Sequence, residues 1–421
     1  METLTLEDCL RIGIDNNLSL EGKRKEIQKS KYGVSENRSK LLPQITVIAG
    51  YNNNFDPPVS VTDGSSYGVP YNITKTLQHT ANAGLEMQMP LFNQTLYTSM
   101  SIAKVMEEIS RLSYGKARED IIMQISKMYY LGQVTAEQIV LIKANITRLE
   151  ELRDITQAFF DNGMSMEVDL KRVNINLENL KVQYDNAQAM MKQQLNMLKY
   201  IMDYPAEKEF VLTPVNTDSI TTVALTGLSE NIYELQLSQS QVQLAEKQKK
   251  IISNGYIPSL SLTGSWRYAA YTDKGYHWFH SGPSNHWFRS YGLGLTLRIP
   301  IFDGLDKTYK IKKAMIDIEN SKLAWENARK SLQTQYLNAV NDLMNNQRNF
   351  KKQKDNYLLA EDVYTVTSDR YREGIASMTE VLQDEMQMSE AQNNYISAHY
   401  NYRITNLMLL KLTGQIESLV K

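Results

Sequence analysis

Residues 81–94 read ANAGLEMQMPLFNQ, and the fold turns on the change of rhythm inside them. Ala81, Ala83, Leu85, Met87 and Met89 alternate with Asn82, Gly84, Glu86 and Gln88, the two-residue period of a strand with one apolar and one polar face. Pro90 ends the alternation, and the next proline is Pro205. The intervening block carries only Gly115, Gly132 and Gly163 as further breakers, so the spacing predicts very long helices after the strand. Within that block Leu170, Val173, Leu177, Leu180, Tyr184, Ala187, Met191 and Leu198 step by threes and fours as a heptad seam.

The same passage occurs twice. LTLRIPIFDG at 295–304 answers LEMQMPLFNQ at 85–94, YIPSLSLTGS at 256–265 answers LLPQITVIAG at 41–50, and RYREGIASMTEV at 370–381 answers FFDNGMSMEVDL at 159–170. A second proline-free block, 301–421, holds Gly304, Gly374 and Gly414 and its own seam of Val381, Met388, Ala391, Tyr395, Ala398, Tyr402, Leu409 and Leu412. The chain therefore reads as a duplication. A first repeat at 1–202 has strands at about 44–55 and 78–89 and a turn at 161–168. A linker follows at 203–226. A second repeat at 227–414 has strands at about 258–270 and 289–299 and a turn at 372–379, and a tail runs over 415–421.

Composition narrows the function. Forty-six basic against 47 acidic side chains give no basic surface for nucleic acid. The single Cys9 excludes a disulfide framework or a cysteine-rich metal site. No nucleophile with a base, no phosphate-cradling loop and no convincing metal triad is legible, so neither an enzyme nor a cofactor is expected. His277, His280 and His286 crowd one inter-strand loop, but Trp278, Phe279 and Trp287 beside them read better as an aromatic rim. The start, Met1-Glu2-Thr3, lacks the basic and apolar parts of a secretory signal, so either the chain is cytosolic or its signal has been removed.

Strands with one apolar and one polar face, attached to helices that run away from them, require another apolar surface. Lipid is the natural one, with Asn82, Glu86, Gln88, Thr296 and Arg298 facing a wet lumen. A barrel in lipid must be closed, and four strands are too few, so copies of the chain are expected to pool their strands. The rival expectation is a soluble coiled-coil assembly protein.

The opening LTLEDCLRIGIDNNLSL, the LLPQ entry, the MPLF and IPIFDG exits, RYREGIASMTEVLQ and the closing NYRITNLMLLKLTGQ resemble, in order and in duplication, the TolC family of outer-membrane efflux channels. The resemblance implies a mostly α fold with a small β part. It would be a homotrimer whose twelve-stranded barrel lies in outer-membrane lipid above a coiled-coil tunnel in the periplasm. It implies a periplasmic adaptor and an inner-membrane transporter as partners. It places adaptor docking at the turns of Gly163 and Gly374, and an aperture lined by Asp169, Glu380, Gln383 and Asp384. It also implies that Tyr371 bonds Asp169 to close the mouth, while Ala376 replaces the arginine that usually helps. The opening motif has Leu18 where the family usually has proline.

Overall fold

The computed structural model describes residues 2–75, 77–214, 227–272 and 286–420. His277 and His280, and the side chain of His286, lie outside the described residues. The chain forms two compact units, one of residues 1–27, 109–240 and 322–421, the other of residues 28–108 and 241–321. In chain order the elements are β1 (Glu2–Leu4), α1 (Leu6–Asn16), α2 (Leu18–Ser39), β2 (Gln44–Asn53), β3 (Val59–Asp63), β4 (Tyr71–Lys75), β5 (His79–Phe92), α3 (Gln94–Asp161), α4 (Glu167–Met202), β6 (Phe210–Leu212), α5 (Tyr233–Asn254), β7 (Ser259–Thr272), β8 (His286–Arg298), α6 (Asp306–Arg372) and α7 (Met378–Leu412). At 68 residues α3 measures about 100 Å along its axis. Among the described residues no helix is long and apolar enough to cross a membrane.

The second unit carries an antiparallel sheet in the order β2-β5-β7-β8. Its register sorts the side chains by face. Val47, Leu85, Trp266 and Tyr291 fall in one cross-strand row, and Ile45, Met87, Gly264 and Leu293 in another on the same face. The opposite face carries Thr46, Glu86, Ser265 and Gly292 in a row, with Arg267 bonded to Glu86 at 2.6 Å. The apolar face is bare: Val47 is 73% and Leu293 80% exposed. Neither β2 nor β8 has a partner on its outer side among the described residues, so the sheet is an open arc. β5 runs through Pro90 to Phe92, three positions beyond the edge expected from the sequence, because a register shift between Pro90 and Phe92 accommodates the missing donor. Between β2 and β5, where a plain loop was expected, β3 and β4 form a hairpin of their own.

In the first unit the seams are buried as their spacing requires: Val173, Leu177, Leu180, Val381 and Met388 join one core cluster around Tyr364 and Tyr371. A second cluster gathers Cys9, Leu10, Ile122, Ile125, Leu198 and Met202. Burial pushes the Cys9 thiol up to about 12, which leaves it a small inert core residue. Two short pieces depart from expectation. The segment read as a linker contains β6, which pairs in parallel with β1, and Thr213 and Tyr129 both donate to the Leu4 carbonyl. The segment read as a tail forms a short 3-10 turn, Ile416–Val420, that buries Ile416 completely. Three- to five-residue pieces carry no periodicity, and a parallel pairing of residues 2–4 with 210–212 leaves no local trace. Residues 6–39 form two helices, α1 and α2, that meet at Asn17. Asn17 caps α2, its Oδ1 accepting from the backbone of Ser19 and Leu20 at 2.9 and 3.1 Å while its Nδ2 donates to the Ile201 carbonyl at 2.7 Å. Leu18 is thus the first residue of a helix, where proline is tolerated because no intrahelical donor is needed.

Candidate aperture at the two helix turns

Both long helices end in the same turn. Gly163 and Gly374 adopt φ of +71° and +76°, and nothing lies within 4 Å of a Cβ built at either, so glycine is required there by backbone conformation and not by crowding. The Gly163 N–H donates to Phe160 and the Met164 N–H to Phe159; Gly374 and Ile375 repeat this with Tyr371 and Arg370, at 2.8 to 2.9 Å in all four bonds. These paired bonds satisfy the last carbonyls of each long helix.

The helices leaving the turns begin differently. Ser377 caps α7 with a complete capping box: its N–H donates to Glu380 Oε2 at 2.8 Å, and the Glu380 N–H donates to Ser377 Oγ at 3.3 Å. Hydrogen bonds from the Ser377 backbone and hydroxyl hold the exposed Glu380 carboxyl below its ordinary range. Met166 takes the corresponding place before α4 and offers no side-chain acceptor. Asp169, in the position equivalent to Glu380, is instead half-buried beside Arg172 at 3.4 Å. The same Arg172 Nη1 donates to Thr379 Oγ1 at 3.2 Å, joining the start of α4 to the start of α7.

Tyr371 and Asp169 are not brought together within the chain. The Tyr371 hydroxyl donates to Thr156 Oγ1 at 3.3 Å, its ring lies 5.6 Å from that of Phe159, and the residue is buried. Arg372 Nη2 reaches Glu151 at 3.4 Å, and Arg148 reaches Glu361 at 2.5 Å. These cationic ties join α3 to α6. Gln383 is exposed and Asp384 half-buried, one turn and slightly more beyond Glu380 on the same helix.

A row of residues that sequence reasoning passed over runs up α7. Glu385, Gln392, His399 and Asn406 are spaced by seven and are all buried, at 5%, 4%, 0% and 7% exposure. Gln392 accepts from Asn145 at 2.7 Å. His399 Nε2 accepts from Arg403 Nε at 3.0 Å, which leaves the ring proton on Nδ1, facing Glu137 Oε2 at 3.7 Å. Glu385 Oε1 has no hydrogen-bond partner, and burial pushes its carboxyl up. The signal was present in the spacing: a heptad of polar residues beside a heptad of apolar ones marks a helix with two buried flanks. Among the described residues there is no cluster of histidine, cysteine, aspartate or glutamate that would hold a metal ion.

Comparison with known proteins agrees with this architecture. The outer membrane protein TolC of Vibrio cholerae is 21% identical over 396 residues, spanning 91% of this chain and 84% of that protein. The solved structure of CusC, described in terms of transmembrane channel formation, superposes with a TM-score of 0.80 at 15% identity, covering 97% of this chain and 91% of that one. The open-state MtrE outer membrane channel of Neisseria gonorrhoeae gives 0.77 at 18%, covering 97% and 88%. The model of the outer membrane efflux protein family matches twice, over residues 12–202 and 216–415, once per repeat, and the chain belongs to that family.

Proposed function

We propose that this chain is the outer-membrane exit duct of a tripartite efflux system, acting without catalysis as a homotrimeric passive channel. The observation that carries the reading is the open four-stranded arc, whose one bare apolar face suits lipid and whose two unpaired edges require further strands. Three copies would supply twelve strands, two from each repeat, 1–202 and 227–414. Exposed apolar residues on the helices support assembly: Ile175, Val182, Met190 and Met197 on α4 recur at steps of seven or eight, and Leu323, Leu337, Met344 and Leu358 on α6 keep heptad register. Such stripes suit packing against a neighbouring copy. A soluble coiled-coil protein would leave the apolar sheet face in water.

In this reading the turns of Gly163 and Gly374 meet a periplasmic adaptor, and an inner-membrane transporter supplies the energy. Exposed Met164, Met166 and Ile375 at the turns give a partner apolar footholds. Glu380, Gln383, Asp384 and Asp169 narrow the mouth; carboxylates repeated around an axis favour cations over anions. Arg172 and Tyr371 restrain the turns by tying α4 and α6 to their neighbours. Planar-bilayer conductance of the detergent-purified protein tests this. Wild type is expected to give small cation-selective steps, and Asp169→Ser with Glu380→Ser larger and less selective ones. Protein that stays soluble without detergent and never inserts would remove the reading.

A further inference from the structure

The junction between the sheet and its helices carries a concentration of positive charge that duct formation does not require. All four junctions lie at one edge of the sheet, because β2 and β7 start where β5 and β8 end. Within roughly two turns of that edge, over residues 32–40, 93–101, 247–254 and 303–313, the chain has nine basic side chains against three carboxylates, in a protein whose net charge is −1. Each of the three carboxylates is already matched by one lysine: Glu36 by Lys40 at 3.3 Å, Asp303 by Lys307 at 3.0 Å and Asp306 by Lys310 at 2.7 Å. Arg38, Lys247, Lys249, Lys250, Lys312 and Lys313 remain without a carboxylate among the described residues.

Five of these six come to one level. The Tyr256 hydroxyl lies 3.3 Å from Thr308 Oγ1, and Lys307 Nζ stands 5.0 Å from the centre of the Tyr256 ring, so the end of α5 packs on the start of α6. α5 runs toward the sheet edge and α6 away from it. Lys247, Lys249 and Lys250 before that contact, and Lys312 and Lys313 after it, therefore lie at similar heights, roughly 6 to 14 Å from it along the two helices. Lysine and tyrosine are paired here as at a lipid–water boundary: Lys312 Nζ lies 5.6 Å from the ring centre of Tyr309, itself 63% exposed. Immediately on the sheet side, Ile301 and Phe302 are 92% and 81% exposed, continuous in sequence with the bare apolar positions of β8.

We infer that this collar is a binding surface for anionic phospholipid headgroups of the leaflet on the helical side of the sheet, with Lys247, Lys249, Lys250, Lys312 and Lys313 as its phosphate-facing cations. The inference rests on the reading of the sheet as membrane-spanning. Its physical content is charge complementarity at a fixed depth: basic side chains just outside the hydrocarbon are drawn to anionic lipid, and the apolar face above them fixes where that depth is.

The test uses the full-length protein in nanodiscs of phosphatidylcholine with one fifth phosphatidylglycerol, with retained lipid counted by native mass spectrometry after delipidation. Wild type should retain phosphatidylglycerol over phosphatidylcholine by roughly tenfold. Changing all five lysines to glutamine should abolish that preference, and changing them to arginine should keep it. The pair Lys312→Gln with Lys313→Gln, which touches only one helix, should lose part of it and serves if the fivefold variant fails to assemble. Equal retention of both lipids by wild type would overturn the inference. So would an unchanged preference in the glutamine variants with a shift of single-channel ion selectivity toward cations, since that result would place the lysines in the lumen. Failure of wild type to enter nanodiscs would count instead against the membrane-spanning reading.

Discussion

α4 and α7 occupy the same place in the two repeats, yet α7 buries twice as many of its residues, 16 against 8. Their seams superpose with an offset of 211, Leu177 on Met388 and Leu198 on Leu409, all of them buried. The flank beside the seam is where they part. Glu385, Gln392 and His399 are buried in α7, whereas Asn174 and Gln188 of α4 are exposed and Lys181 is half-buried. Conversely Val173 is fully buried where the second repeat has the half-buried Asp384. Within the chain, α7 thus has a packed flank that α4 lacks, and that flank carries a row of polar residues. Buried polar groups cost stability unless paired, but they fix register, since only one alignment of the helices lets Gln392 meet Asn145 and Arg403 meet Gln133.

Exchanging residues between the repeats would break the comparison most severely at Val173. Val173→Asp places in α4 what α7 tolerates at 384, but inside a fully buried site with no cation provided. A loss of about 3 to 5 kcal/mol is expected in denaturant unfolding, while Asp384→Val should change stability by less than about 1 kcal/mol. Near-equal effects would mean that the two flanks are equivalent after all.

Glu385 sharpens the comparison through pH. Burial raises its carboxyl in the folded chain above the unfolded value, so the fold binds this proton more tightly. Its full contribution is therefore present below the ordinary glutamate range and is lost as pH rises through the raised folded value. Glu385→Gln should leave the Tm unchanged near pH 4 and raise it at pH 8, and a gain of the same size at both would show that charge is not the cause.

The smallest effect concerns the turns. Ser377→Ala removes the capping box of α7 and should cost about 1 kcal/mol, and Met166→Ser should return a similar amount to α4, which has no cap of this kind. Hydrogen exchange in the first turn of each helix separates the two sites. Faster exchange at residues 378–380 in the first variant and slower exchange at 167–169 in the second are expected.

Much of this architecture is legible from residue spacing. Pro90 and Pro300 mark the change from period two to period three and a half, and the duplicate passages carry the turns and the seams with them. The glycines of the turns were legible for the same reason: a positive φ constrains one residue at a time, and sequence repeats it. The β1–β6 pairing, the β3–β4 hairpin and the burial of Ile416 were not, because each depends on contacts between short segments with no period of their own.

The aperture was legible only as a set of positions. Sequence placed Asp169 and Glu380 at equivalent helix starts, but not the capping bonds that hold one and the arginine that holds the other. The family resemblance pairs Tyr371 with Asp169; within the single chain the Tyr371 ring packs against Phe159 and its hydroxyl donates to Thr156.

What the sequence determined by itself is what repeats along one dimension: element type, helix length, the duplication and the position of each turn. Which flank of a helix is buried, and which of several nearby partners a polar group takes, was decided only by tertiary structure. Periodicity fixes which residues share a face of a helix, while the neighbours that the face meets come from segments hundreds of residues away.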